Sequence, residues 1–177
     1  FTRELERDIA GSPAHIASVC GRYFAMDRDK RWERVKRAYD LLTLGAGRTA
    51  VSATSAIEAS YANGVTDEFI EPCSITGEDG KPLAIIRPHD VVICFNFRTD
   101  RCREITQALT QQSFPEQGMY PLPLHYVTMT EDDSTYRDVR VIFHKDNLAM
   151  TLGEVVSRAG LKQVRIAETE KYPHVTF

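Results

Sequence analysis

The sequence predicts an α/β fold, a single layered domain in which a mixed, mostly parallel sheet is flanked by helices. Helix and strand patterns alternate almost throughout, which favours a layered domain over a helical bundle or a β-sandwich. The chain has 177 residues, of which 42% are hydrophobic and 27% are charged. This length and composition are enough for one ordinary core and exclude a disordered or collagen-like chain.

The first elements are a helix, a strand and a second helix. A charged amphipathic segment predicts an opening helix to about Ala10, and the alternating residues 15–23 predict a strand that ends in a loop. Asp27 or Asp29 can cap the following helix. One face of this helix carries apolar residues at spacings of three and four, namely Trp32, Val35, Tyr39 and Leu42.

Glycines and an asparagine mark the ends of the next helices. Gly45 and Gly47 stop the helix that begins after residue 29. A further helix is predicted from about Ser52 to Ala62, and Asn63 and Gly64 close it.

The middle of the chain predicts two strands and a helix. FIEPCSI (69–75) reads as a strand, TGEDGKP (76–82) as a turn, and DVVICFNF (90–97) as a continuous apolar strand. Such a strand is typical of the centre of a sheet, buried on both faces. It leads directly into a helix over 98–110, whose inward residues are Cys102, Ile105 and Leu109.

The last third predicts a proline-rich loop, more strands and a final helix. The loop covers residues 113–124 and contains three prolines. Strands follow at 125–130 and 139–143, and further strand is expected at 161–168 and 174–177. A helix over 151–160 is expected to pack Leu152, Val155 and Val156 and to end at Gly160.

Composition also narrows the class of protein. No run of about eighteen apolar residues is present, and the opening segment lacks the apolar middle of a signal peptide, so we expect a cytoplasmic protein without a membrane span. Cys20, Cys73, Cys94 and Cys102 show no CxxC pairing, and we interpret them as reduced, mostly buried thiols. The chain begins without Met and stops inside a strand pattern, so we expect a piece of a longer protein.

Five cationic side chains lie where a predicted strand passes into a loop or a helix start: Arg22, Arg28, Arg98, Arg101 and Lys171. The net charge of the chain is −3. Because a polyanion would need a broad basic face, a local basic pocket on this chain indicates a compact phosphorylated or carboxylated ligand.

The segment FNFRTDR carries the strongest signal among these cations. A helix start offers free backbone N–H groups and a positive dipole end, and arginines add bidentate hydrogen bonds to phosphate or carboxylate. Asp27 and Asp29 would hold Arg28 in one orientation. The alternative is that Arg98 and Arg101 pair with Asp100 or Glu104 at the surface, that DRD is a salt-bridged helix start, and that Lys171 is solvated.

Other motifs are absent or weak. The five histidines show no HxH or HExxH spacing, and the chain has no GxSxG, P-loop or GxGxxG. The acidic run TEDD (130–133) is interpreted as a solvated turn, with a carboxylate cluster for a metal ion as the alternative.

Four long segments together resemble one enzyme family: GRYFAMDRDKRWERVKRAYD, FNFRTDR, YVTMTE and TLGEVVSRAGLKQVRIAETEKYPHVTF. This family comprises the cofactor-independent (2,3-bisphosphoglycerate-independent) phosphoglycerate mutases, and the resemblance runs from about Ile16 to the last residue. It implies a two-domain enzyme that interconverts 3-phosphoglycerate and 2-phosphoglycerate through a phosphoserine. An alkaline-phosphatase-like domain would carry the serine and two Mn²⁺ ions.

The resemblance further implies that residues 1–177 form the substrate-binding domain inserted into that phosphatase domain. The fragment alone is then expected to be inactive, to hold no metal, and to act as a monomer whose partners are 2- and 3-phosphoglycerate and its own phosphatase domain. No nucleic acid or membrane partner is expected.

Carried over residue by residue, the substrate-gripping arginines of the family match Arg22, Arg28, Arg98 and Arg101, and its lysine near the phosphoryl group matches Lys171. Two departures are FRTDR, where the family often has proline in the middle, and TEDD, where an aromatic residue often follows the glutamate. Thr99 is expected to cap the helix in place of the proline.

Two other functions remain open from the sequence. One is a catalytically idle module that binds a small phosphoester, and the other is a nucleic-acid-binding domain that uses the same arginines.

Overall fold

The computed structural model describes residues 1–144, 148–168, 171 and 175, and the chain divides into two compact units, residues 1–144 and 145–177. The helices and strands of the first unit are, in chain order, α1 (Thr2–Asp8), β1 (Ser18–Val19), α2 (Arg22–Ala25), α3 (Trp32–Leu44), β2 (Arg48–Ala50), α4 (Ala53–Ala62), β3 (Cys73–Ile75), β4 (Val91–Cys94), α5 (Arg103–Thr110), β5 (His125–Thr130) and β6 (Val139–Phe143). Short 3₁₀ helices cover Asp67–Phe69 and Pro115–Gln117. The second unit contains α6 (Leu152–Arg158).

The strands form two three-stranded sheets. In the first, β3 lies in the middle, antiparallel to β1 and parallel to β2. In the second, β5 lies between β4 and β6 and all three strands run parallel, with Val127 opposite both Ile93 and Arg140. The predicted α/β class with a mixed, mostly parallel arrangement flanked by helices is therefore confirmed, although the strands are shared between two sheets.

The main core lies between helices α3 and α5 and the second sheet. Its buried residues are Phe24, Val35, Ala38, Tyr39, Cys102, Ile105, Ala108, Leu109, Phe114, Met119 and Tyr126. Helix α3 contributes the apolar face that the sequence predicted, because residues three and four apart share one side of a helix. A smaller core beneath the first sheet contains Ala53, Ala56, Cys73 and Ile75.

The glycine and serine signals at two helix ends are confirmed, but the predicted capping of α3 by Asp27 or Asp29 is wrong, because its N-cap is Arg31 and no side chain caps it. Helix α3 ends at Gly45, whose φ of +67° is a left-handed conformation that glycine adopts easily. A Cβ there would also lie 2.3 Å from Pro82 Cγ. Helix α4 starts with a capping box in which Ser52 and Ser55 each bond the other's backbone N–H.

The prediction of a central strand over residues 90–97 was wrong. Strand β4 is only four residues long and lies at the edge of its sheet. Val91 and Ile93 are 69% and 58% exposed, while Val92 and Cys94 pack against the core. A short apolar run does not show which of its faces is covered, since that depends on the strands that pair with it.

Two predictions for the second unit also fail. Residues 161–168 were expected to form a strand but have no helix or strand in the structure. Helix α6 forms over Leu152–Arg158 behind a Thr151–Glu154 capping box, but it buries none of its residues. Most of the predicted strand over 174–177 lies outside the described residues.

Candidate functional site

Two loops of the first unit meet, and they carry three of the predicted cations. The first loop (residues 26–31) joins α2 to α3, and the second loop (residues 95–102) joins β4 to α5. Arg28 in the first loop is hydrogen-bonded to the Asp100 carboxylate in the second at 2.8 Å. In the other direction, the Arg101 guanidinium donates to the backbone oxygen of Met26 at 3.3 Å.

The Arg28–Asp100 pair is mostly shielded from water, with 18% and 23% of the two side chains exposed. Burial raises the pKa of the Asp100 carboxyl, but the hydrogen bond from Arg28 and the charge of Arg101 outweigh it and hold the pKa below its ordinary value. Asp100 is therefore ionised and fixes the position of the Arg28 guanidinium.

Two buried acids set the backbone of the first loop. Asp27 accepts hydrogen bonds from the backbone N–H of Asp29 and of Arg31, both at 3.0 Å, and from the Arg34 side chain at 3.4 Å. Glu104 of α5 accepts from the backbone N–H of Lys30 at 2.8 Å. Three consecutive N–H groups of this loop thus end on carboxylates, which leaves its backbone little freedom.

The Glu104 carboxyl lies beside Asp27 and has a raised pKa. Burial raises the pKa of the Glu104 carboxyl to about 7, the Lys30 N–H opposes the shift, and the hydrogen bond to Asp27 and its negative charge reinforce it. Two carboxylates side by side in a buried position cannot easily both ionise. Glu104 Oε1 accepts from the Lys30 N–H, while Oε2 has no other partner among the described residues. When Glu104 is protonated, Oε2 can donate a hydrogen bond to Asp27, which an ionised carboxylate could not do.

Arg98 is the exposed cation of the second loop. Its backbone is held by Asn96, whose amide nitrogen donates to the Arg98 carbonyl at 3.1 Å and whose amide oxygen accepts from the Arg98 N–H at 3.4 Å. Within residues 1–144, 148–168, 171 and 175, the Arg98 guanidinium makes no ion pair or hydrogen bond. It is therefore available to an external anion.

Arg22 is the first residue of α2, where its guanidinium pairs with Glu68 at 3.0 Å and stays half exposed. The preceding Gly21 lets the start of α2 approach residues 68–70 closely. Its N–H donates to the Ile70 carbonyl, and a Cβ at this position would lie only 2.3 Å from the backbone oxygen of Glu68. Helix α2 ends at Ala25, so Arg22 and the first loop belong to one continuous segment.

Lys171 belongs to the second unit. It is exposed, and its backbone N–H bonds the Glu168 carbonyl at 3.0 Å. Its proposed place beside the four arginines stays a prediction.

Several details of the sequence-based site need correction. Arg98 and Arg101 lie in a loop and a turn, since α5 begins only at Arg103. The N-cap of α5 is Cys102 and no side chain caps the helix, so Thr99 does not replace a capping proline. The Asp27 carboxylate binds backbone N–H groups and Arg34, so it supports the loop around Arg28.

The surface alternative for the arginines is also only partly right. Asp100 does form an ion pair, but with Arg28 from the other loop. Glu104 is 6% exposed and binds the Lys30 backbone. A spacing rule along the sequence could not reveal this contact, because the two residues are 74 positions apart.

The acidic run TEDD (130–133) was predicted to be a solvated turn, and this holds for the exposed Glu131 but not for Asp132. Asp132 is 5% exposed, and both of its carboxylate oxygens lack a hydrogen-bond donor among the described residues. Burial raises the pKa of Asp132 to about 6, although Arg103 opposes this shift. The Arg103 guanidinium donates twice to the Asp132 backbone oxygen, at 3.0 and 2.7 Å, a role that the sequence analysis missed.

No group of three or more His, Cys, Asp or Glu side chains in the described part of the chain is arranged to hold a metal ion. The described residues therefore do not fit a manganese site. No helix among the same residues combines the length and the apolar character that crossing a membrane requires. All four cysteines are free thiols, as predicted.

A cavity of about 510 Å³ lies beside the first sheet and is lined mainly by apolar side chains, including Phe24, Phe69 and Ile70. None of the four arginines predicted to bind substrate lines it. The loop arginines Arg28, Arg98 and Arg101 therefore lie outside this cavity.

Comparisons with known proteins agree on one family. The protein-family model described as "BPG-independent PGAM N-terminus" matches residues 1–134. The chain is 60% identical over 98% of its length to a 2,3-bisphosphoglycerate-independent phosphoglycerate mutase of Flavobacterium psychrophilum, and 58% identical over its full length to that of Flavobacterium johnsoniae. It covers 34% and 35% of those two proteins, so it spans about a third of the curated relatives it matches.

A solved structure supports the same assignment. The Leishmania mexicana phosphoglycerate mutase, crystallised at low cobalt concentration, superposes with a TM-score of 0.81 at 32% identity and covers 99% of this chain. This chain corresponds to 34% of that structure. The chain belongs to the family of 2,3-bisphosphoglycerate-independent phosphoglycerate mutases.

Proposed function

We propose that the chain is the substrate-binding domain of a phosphoglycerate mutase that interconverts 3-phosphoglycerate and 2-phosphoglycerate through a phosphoserine. The observation that carries the proposal is the meeting of the two loops, in which Arg28 and Arg101 are each tied to the opposite loop while Arg98 stays free toward solvent. Arg22 and Lys171 complete the proposed set.

The charges suit a small dianion. The two loops carry five cations, Arg28, Lys30, Arg31, Arg98 and Arg101, against three aspartates, Asp27, Asp29 and Asp100, which leaves an excess of two positive charges on a surface a few residues wide. Arginine forks bind carboxylate and phosphate bidentately, and ordering Arg28 in advance lowers the entropy cost of binding. The net charge of −3 for the whole chain disfavours a polyanion.

The arginines would matter most between the two transfer steps. Phosphoryl transfer depends on alignment and charge stabilisation more than on covalent help from the protein. After the phosphoryl group has moved to the serine, the glycerate keeps only a carboxylate and two hydroxyls by which it can be held. Losing it at that point would turn a mutase into a phosphatase, so the proposed task of this domain is retention.

The nucleophilic serine and the ligands of two Mn²⁺ ions would lie in an alkaline-phosphatase-like domain outside this chain. When bound there, the ions would stabilise charge on the phosphoryl group. This chain alone is expected to bind phosphoglycerate without turnover, as a cytoplasmic monomer.

Arg98→Ala tests this function in a longer enzyme that joins this chain to a phosphatase domain. We expect the mutase rate to fall roughly 10²- to 10³-fold, since that is the usual effect of removing one preorganised charge-stabilising contact. The fraction of phosphoglycerate that is hydrolysed should rise, and a coupled assay for 2-phosphoglycerate together with a phosphate-release assay measures both.

Arg87→Ala is the matched control, because Arg87 is also exposed and lies outside both loops. It should leave both rates unchanged. Near-normal kinetics for Arg98→Ala would contradict the assignment. Turnover by the joined enzyme separates a mutase from an idle phosphoester-binding module, and tight, salt-sensitive binding of oligonucleotides would indicate a nucleic-acid-binding domain instead.

A further inference from the structure

Two buried side chains at the end of β5 carry oxygen atoms without a hydrogen-bond partner. Asp132 is 5% exposed and Thr128 is 1% exposed. Both carboxylate oxygens of Asp132 and the hydroxyl oxygen of Thr128 lack a partner among the described residues. Asp40 and Glu104 also have an unpaired oxygen, but in each of them the other oxygen is hydrogen-bonded. Because a buried carboxylate without any donor is costly, Asp132 requires a compensating group from outside the chain.

Asp132 and Thr128 line the same cavity, which has a volume of about 160 Å³. Thr128 lies in the central strand of the second sheet, opposite Val141 of β6. Val139, Val141 and Tyr136 supply apolar parts of the cavity wall. Pockets that hold drug-sized ligands measure roughly 300–1,000 Å³, so this smaller cavity suits a group of only a few heavy atoms.

The charge around the cavity is negative. Glu131, Asp132 and Asp133 are consecutive and all line it. Arg103 lies nearby, but its guanidinium donates to the Asp132 backbone oxygen and its Nε is 3.9 Å from Asp133 Oδ2. Burial raises the pKa of the Asp132 carboxyl to about 6, Arg103 opposes this shift and the charge of Asp100 reinforces it, so Asp132 is still mostly ionised at pH 7. The cavity therefore favours a cation over an anion.

The unpaired atoms indicate which kind of cation fits. A divalent metal ion would need more ligands than this cavity offers, since no three His, Cys, Asp or Glu side chains converge on an ion in the described part of the chain. A primary ammonium has three N–H donors and no acceptor. The two Asp132 oxygens and the Thr128 hydroxyl are three acceptors, one for each of these donors. The apolar side chains of Val139 and Val141 suit the carbon atoms of an alkyl chain.

We propose that this cavity binds the primary ammonium group of a small aliphatic amine. The ammonium donates to the Asp132 carboxylate and to the Thr128 hydroxyl oxygen, while the alkyl carbons lie against the apolar wall. The exposed Glu131 adds negative charge that attracts the cation from solvent. The site is independent of the proposed phosphoglycerate site, because none of the arginines predicted to bind substrate lines this cavity.

An NMR titration of the isotope-labelled wild-type chain tests the site directly. Ethylammonium chloride should shift the backbone amide signals of residues 128–136 along a saturable curve, with a Kd roughly in the millimolar range expected for a ligand of three heavy atoms. Tetramethylammonium chloride at equal ionic strength is the matched ligand control, because it has the same charge but no N–H donor, and it should leave these signals unchanged.

The same titration can overturn the proposal. Absence of saturable shifts with ethylammonium would mean that the cavity binds no amine. Equal saturable shifts with tetramethylammonium or with potassium chloride would show that it attracts cations in general and does not recognise the ammonium N–H groups. The wild-type chain suffices for these outcomes, so they do not depend on a variant that folds.

Variants assign the donors and acceptors. Asp132→Asn keeps the shape of the side chain but removes its charge, and it should weaken ethylammonium binding at least about tenfold. Thr128→Val removes one acceptor and should weaken binding roughly fivefold. Glu116→Gln is the matched control, since Glu116 is exposed and lies outside the cavity, and it should bind as the wild type does.

Without amine, Asp132→Asn should be at least as stable as the wild type, because it removes an unpaired buried charge. Wild-type affinity in a folded Asp132→Asn would refute the role of the carboxylate. An equal loss of affinity in Glu116→Gln would show that the overall charge of the chain, and not this cavity, governs the binding.

Discussion

The two loops that form the candidate site are held in opposite ways. In the first loop, buried carboxylates accept from three successive backbone N–H groups, those of residues 29, 30 and 31. In the second loop, the partly exposed Asn96 bonds Arg98 and Cys102, and the Thr130 hydroxyl donates to the Phe97 carbonyl. The side chains of Phe95, Phe97 and Arg98 in this loop are exposed. If the proposed site is right, the rigid first loop places Arg28 and the more adjustable second loop brings Arg98 and Arg101 to the anion.

Asp27→Ala should give the largest loss of stability, because it removes the carboxylate that holds the backbone of the first loop. Two backbone N–H groups and Arg34 would lose their acceptor in a buried position, which costs about 3 kcal/mol of unfolding free energy. Urea denaturation followed by circular dichroism measures the loss. Asp29→Ala is the control, since the Asp29 side chain is exposed, and it should change stability by less than about 0.5 kcal/mol. Equal effects of the two substitutions would refute the role given to Asp27.

Glu104→Gln tests the raised pKa of Glu104. Because the pKa of folded Glu104 is about 7, above its ordinary value of 4.5, its contribution to stability is complete below about pH 4.5 and disappears as the pH rises through 7. Glutamine keeps an acceptor for Lys30 and a donor for Asp27 at every pH. The variant should match the wild type near pH 5 and exceed its unfolding free energy by about 2 kcal/mol at pH 8.

Denaturation curves at both pH values check the Glu104→Gln prediction. The exposed Glu116→Gln is the control and should follow the wild type at each pH. Asp132, whose pKa is also raised, to about 6, should leave a smaller decline in stability with rising pH in every variant. A wild-type-like pH profile for Glu104→Gln would show that Glu104 is ionised in the folded chain at neutral pH.

Asn96→Ala should give the smallest effect on stability, because it loosens the loop that is already the more adjustable one. The loss of its hydrogen bonds to Arg98 and Cys102 should cost about 1 kcal/mol. Affinity for 3-phosphoglycerate, measured by calorimetry, should fall by more than this stability change would suggest, since Arg98 would lose its positioning. An unchanged affinity would mean that this loop does not need a fixed backbone to bind.

The sequence correctly predicted those helices and helix ends that are set by residues close together in the chain. Helix α3 and its glycine stop, and helix α4 with its Ser52 and Asn63 boundaries, are encoded by spacing and capping residues within one segment. The edge position of β4 could not be predicted, because Val91 and Ile93 look alike in a central and an edge strand. The contact between Glu104 and Lys30 could not be predicted either, because it forms only when α5 packs against the first loop.

The contacts between the two loops join residues 72 to 75 positions apart. Closing so long a stretch of chain carries a large entropy cost that only consolidated packing can offset. We therefore expect the proposed anion-binding surface to form only after the two loops have packed together, so that a partly folded chain would lack it. The ability to bind phosphoglycerate would then report that the domain has reached its native state.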